Sequence, residues 1–148
     1  METENRVVSA TRTIAAPAET VFELIADPRR QPEWDGNDNL VEVIAGDRIR
    51  AAGEVFGMRT TKGNHRDNLV TIFEEGRRIA WRHFSAHVWR YTLEPRGDTT
   101  LVREEWDGRA VPWRVVFRLL GFTRSHPASI EATLRKLEEH VLQGRDGS

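Results

Sequence analysis

Residues 89–106 read WRYTLEPRGDTTLVREEW, and the alternation within this stretch decides the architecture. Successive side chains of a strand point to opposite faces, so a pairing register fixes which residues share a side. A two- or four-residue turn at Gly97-Asp98 pairs Leu93 with Val102, Tyr91 with Glu104 and Trp89 with Trp106. That face is mostly apolar and aromatic. The opposite face carries Arg90, Thr92, Arg103 and Glu105, which suits water.

Working outward, the connection around Ser85 has two alternatives. An odd-length loop sets Trp81 beside Trp89 and Ile79 beside Tyr91, whereas an even one sets Trp81 against Arg90. Burying a tryptophan favours the odd loop or a bulge. Across the Glu75-Gly76 turn, Ile72 then meets Ile79, Val70 meets Trp81, and Asn68 meets His83. Phe56 and Met58 join the same face if the Lys62-Gly63 connection is also odd. The inward face therefore reads Phe56, Met58, Asn68, Val70, Ile72, Ile79, Trp81, His83, Trp89, Tyr91, Leu93, Val102, Glu104 and Trp106.

The rest of the chain supplies what this layer packs on. Arg6 to Ile14 reads as a first strand, and Pro17 opens a helix striped by Val21, Phe22, Leu24 and Ile25 that Asp27-Pro28 ends. Arg29 to Trp34 suggests a second short helical segment, with a turn at Asp35-Gly36-Asn37. Strands are expected near 40–45, 53–60, 64–74, 77–84, 87–95 and 99–107. A last helix begins around Ser125-His126-Pro127, repeats Ile130, Leu134, Leu137 and Val141 on one side, and has Gly144 to close it. The fold class is α+β: a curved antiparallel sheet of about seven strands wrapped around a long C-terminal helix, with two short helices after the first strand.

Composition narrows the function classes. The chain has 148 residues, enough for one domain with a proper core, and the ordered part is expected over about 6–143. Lysine and arginine number 22 against 23 acidic residues, so nothing electrostatic draws the chain to nucleic acid. The absence of cysteine excludes disulfides, thiol catalysis and zinc–thiolate sites. No stretch has the run of apolar residues that a membrane span or secretion signal needs, which makes a cytoplasmic protein the expectation. His65, His83, His87, His126 and His140 lack metal-ligand spacing, and no phosphate loop or nucleophile elbow appears. No metal and no cofactor are expected.

Several phrases together resemble a known superfamily. Ile14-Ala15-Ala16-Pro17-Ala18-Glu19-Thr20-Val21-Phe22, then Asp27-Pro28 and Trp34, is similar to the opening of START-like helix-grip (SRPBCC) proteins. Asn68-Leu69-Val70, Gly76-Arg77-Arg78-Ile79-Ala80-Trp81 and Trp89-Arg90-Tyr91-Thr92-Leu93-Glu94-Pro95 resemble the polyketide cyclase/dehydrase and lipid-transport branch. The likeness runs roughly from Val7 to Val141. That superfamily spans ligand and lipid carriers, aromatase/cyclases, quinone-binding proteins and co-chaperones. It has no shared catalytic motif, so the resemblance carries over no catalytic residue. It implies a cavity between sheet and long helix for a hydrophobic ligand.

The expected ligand-binding set is Phe56, Met58, Asn68, Val70, Trp81, His83, Trp89, Tyr91, Glu104, Trp106, Phe117, Leu120, Ile130 and Leu134. Apolar walls with few polar groups are the usual make-up of a small-molecule pocket, and a filled core is the alternative. Glu104 opposite Tyr91 is the one candidate for acid–base chemistry, with His83 or Arg66 as further donors. A carboxyl turned inward has its pKa raised by desolvation unless a donor compensates, and a structural hydrogen-bonded pair is the simpler explanation. Residues 111–122 hold Trp113, Phe117 and Leu120 with Arg114 and Arg118, which suits a packed helix, a lid or, as a minority reading, membrane contact. The leading expectation is a binder of a lipid, polyketide or aromatic metabolite. A polyketide aromatase/cyclase or dehydratase is the first alternative, and a co-chaperone or interaction module the second. Oligomeric state is not legible.

Overall fold

The hairpin that decides the architecture closes through the two residues Gly97 and Asp98, with Arg96 paired to Thr99 and Gly97 at φ +66°. A positive φ of that kind is open to glycine at little cost. The computed structural model describes residues 7–34, 40–45, 47–60, 65–83, 87–109 and 130–143. Side chains of 40–45, 60, 65, 66 and 83 lie outside that description.

The seven strands are β1 (Val7–Ile14), β2 (Leu40–Ala45), β3 (Val55–Thr60), β4 (His65–Glu74), β5 (Arg78–His83), β6 (Val88–Arg96) and β7 (Thr99–Asp107). They form one antiparallel sheet in the order β1-β7-β6-β5-β4-β3-β2. Helix α1 (Ala18–Ala26), a 3-10 turn (Pro28–Arg30) and helix α2 (Gln31–Trp34) follow β1. Helix α3 occupies 130–143. The layers and their order are those expected. β3 starts two residues later than expected because Gly53 turns the chain at φ +95°.

Local chemistry explains the helix ends. The Pro17 carbonyl accepts from the amides of Thr20 and Val21, so proline serves as the cap preceding the first turn. Asp27 stops α1 and turns its carboxylate back onto the Arg29 amide at 3.1 Å, starting the 3-10 turn. The buried stripe of α1 (Val21, Phe22, Leu24, Ile25) and that of α3 (Ile130, Leu134, Leu137, Val141) belong to one core with the sheet. At the periphery, Arg12 of β1 reaches Glu138 of α3 at 2.8 Å, and His140 Nε2 lies 2.9 Å from Glu33 Oε1 on α2.

The register agrees with the sequence reading at Trp81–Trp89, Ile79–Tyr91, Val70–Trp81 and Asn68–His83, and Phe56 joins the same face by pairing with Asn68. One pairing differs. A bulge between Val70 and Ile72 adds a residue to β4, so Ile79 faces Phe73 and not Ile72. Past the bulge the two faces of β4 exchange. Phe73 therefore packs on the core, edge-on to Phe22 with ring centroids 5.7 Å apart.

Candidate functional site

Pairing across the sheet lays inward side chains out in rows. One row runs Val70, Trp81, Trp89, Trp106, Val8 from β4 to β1. The next runs Phe73, Ile79, Tyr91, Glu104, Ala10. A third holds Phe56, Asn68 and, by its register, His83. Aromatic rings thus gather at the middle of the sheet, and the polar groups Asn68, Tyr91 and Glu104 stand among them.

The rings touch in a chain. Phe56 meets Trp81 edge-on at 5.4 Å, Trp81 lies tilted over Tyr91 at 5.4 Å, and Trp34 of α2 meets Tyr91 edge-on at 5.9 Å. Such contacts add to the area each ring buries. Trp34 is fully buried and spends its indole N–H on the Leu24 carbonyl at 3.1 Å. On the β7 side, the ring of Trp106 lies 5.8 Å from that of His87. A Cβ built on Gly108 would stand 2.5 Å from Trp106 Cη2, so the glycine leaves the indole its place.

Tyr91 Oη donates to Glu104 Oε2 at 2.5 Å, and both residues are only 2% exposed. A phenol held this close to a buried carboxylate is a charge-assisted hydrogen bond if the carboxyl is ionised. Asn68 is equally buried, and its Oδ1 has no hydrogen-bond partner among the described residues. Thr100 is different: its hydroxyl donates to the Ala16 carbonyl at 2.7 Å and ties β7 to the segment before α1.

The outer face is an ionic ladder. Arg90 reaches Glu105 at 2.8 Å and Asp107 at 3.4 Å, while Arg103 reaches Glu105 at 2.7 Å. Burial pushes the Asp107 carboxyl up, but hydrogen bonds from Arg109 and Arg90 outweigh it and hold the group below the ordinary carboxylate value. Asp27 is lowered chiefly by the Arg29 guanidinium, which grips both carboxylate oxygens at 2.9 and 3.0 Å. Hydrogen bonds to the carboxylates of Glu75 and Glu23 raise the pKa of Arg48, which also sits over the Phe22 ring at 5.7 Å.

Of the residues expected to bind ligand, Phe56, Met58, Asn68, Val70, Trp81, Tyr91, Glu104 and Trp106 are buried on the inner side of the sheet. Ile130 and Leu134 are buried on α3, and Trp89 is half-buried against the same core. His83 keeps its register position, though its side chain lies outside the described residues, as do Phe117 and Leu120 and the whole of 111–122. Trp34, Ile49 and Thr133 join the interior without having been expected there. The signal for Thr133 was available, since it lies one residue before Leu134 in the repeat. Among the described residues no group of three or more metal-ligating side chains is assembled, and no helix is long and apolar enough to cross a membrane.

Comparison with known proteins agrees with this geometry. Residues 5–142 match the sequence family described as polyketide cyclase / dehydrase and lipid transport. An uncharacterized protein of Mycobacterium tuberculosis is 31% identical over 152 residues, covering 93% of this chain and 65% of that protein. The chain therefore spans less than two thirds of the length of the curated relatives it matches. A crystal structure from Mesorhizobium loti superposes with a TM-score of 0.70 at 21% identity, covering 93% of this chain and 97% of the other. A protein from the dynemicin biosynthetic locus gives a TM-score of 0.66 at 19% identity, over 94% of this chain and 48% of its own. At such identities the superpositions establish the fold, a sheet gripping its C-terminal helix.

Proposed function

The chain belongs to the polyketide cyclase/dehydrase and lipid transport family, and from that premise we propose that it binds a hydrophobic small molecule between the inner face of its sheet and helix α3. A lipid, a polyketide or an aromatic metabolite fits the description. The carrying observation is the one-sided aromatic face with three buried polar residues, Asn68, Tyr91 and Glu104, set into it. Burial of apolar ligand surface drives such binding, and a few polar groups orient the guest. Titration with fatty acids, flavonoids and quinones, read by tryptophan fluorescence, tests it. Saturable quenching by at least one class is expected, because Trp34, Trp81 and Trp106 are all buried in this core. Flat titrations throughout would contradict it.

A second reading is supported by the short Tyr91–Glu104 contact. A buried phenol–carboxyl pair can pass a proton to or from a ligand group, as ring closure or dehydration of a polyketone requires. Under that reading Glu104→Gln abolishes turnover of a polyketone substrate while leaving its binding within a few-fold. Unchanged turnover in the variant would leave the pair a structural one.

A further inference from the structure

Most polar groups of the interior are already engaged. Tyr91 donates to Glu104, Trp34 to Leu24, and Thr100 to Ala16. Among the buried polar side chains of the inner face, Asn68 is 2% exposed and its Oδ1 meets no described residue. A buried amide oxygen without a donor costs free energy, and proteins keep such groups where something else satisfies them. Its surroundings identify what that something is. Asn68 pairs across the sheet with Phe56, whose ring packs edge-on against Trp81, and on its other side with His83 of β5.

Resting on the ligand-binding reading above, we infer that Asn68 is the polar subsite of the binding face and takes a hydroxyl group carried by an otherwise apolar ligand. The hydroxyl donates to Oδ1 and can accept from Nδ2, so one group serves both ends of the amide. A carboxylate at neutral pH has no proton to give Oδ1, and an ether has none at any pH. The site therefore ranks an alcohol or phenol above the methyl ether and the carboxylate of the same skeleton. Rejection of an analogue that leaves a buried polar group unmet is the usual source of such selectivity.

The test is displacement of the fluorescent probe ANS from the purified chain by naphthol, methoxynaphthalene and naphthoate, repeated with dodecanol, its methyl ether and dodecanoate. The expected result is an alcohol preference of about tenfold over the ether in at least one series. In Asn68→Leu that ratio falls to about one while the melting temperature holds or rises, because the variant removes an unmet polar atom. A purely structural amide, or one satisfied by a trapped water, would leave the ratio unchanged in the variant or lower the melting temperature, and either overturns the assignment. Equal affinity for alcohol and ether in the unmodified chain overturns it without any variant and leaves the ligand-binding reading standing. Failure of every compound, with no ANS uptake, removes both.

Discussion

The Thr100 hydroxyl and the Ala16 carbonyl it serves are both fully buried, so neither finds water if the other is lost. Thr100→Val should therefore cost about 1–3 kcal/mol in chemical denaturation, the penalty for an acceptor left unmet. Thr100→Ser, which keeps the hydroxyl, should recover most of that. Asp107 acts through pH. Its carboxyl titrates lower in the folded chain than its ordinary value of 3.8. The stability it contributes is thus fully present above that ordinary value and is lost as pH falls through the lower, folded one. Asp107→Asn should flatten the acid limb of a stability–pH curve and leave its shape near neutrality unchanged. An identical acid limb in the variant would show that the Arg90 and Arg109 contacts carry no net linkage.

Helix α3 shows which forces hold one element to another. Its ion pair to β1 is partly open to water, Arg12 being 40% and Glu138 23% exposed, so Arg12→Ala should shift stability by no more than about 1 kcal/mol. Leu137, by contrast, is fully buried, and Leu137→Ala should cost about 2–5 kcal/mol. At the end of β7, Gly108→Ala would drive a methyl into the Trp106 ring. A loss of about 1–3 kcal/mol with an altered near-ultraviolet tryptophan signal is expected there. The β6–β7 hairpin was legible in the sequence because its register is local: two turn residues and a period of two determine it. The β4 bulge was not, since nothing in Val70-Thr71-Ile72-Phe73 marks an extra residue until Phe73 has Phe22 to pack on. The docking of β1 beside β7 was likewise invisible, joining Val7 to Asp107 across most of the chain.

In the molecule as a whole, the inward rows were readable wherever one strand follows another, and the helices that cover them were not. Trp34 carries part of the family resemblance in the sequence, yet its place against Tyr91 depends on α1 and α2 folding back over the sheet. Register alone puts Asn68, Tyr91 and Glu104 on one face, whereas the short Tyr91–Glu104 bond and the unmet Asn68 Oδ1 depend on side-chain geometry that register does not determine. Family membership and fold establish the sheet-and-helix grip, and on it rests the proposal that its inner side takes an apolar guest. Native mass spectrometry of the chain purified from cells tests that claim most directly. A bound apolar molecule, released on unfolding and re-acquired from a cell extract, is the expected result. A spectrum of the bare chain alone, before and after incubation with that extract, would contradict it.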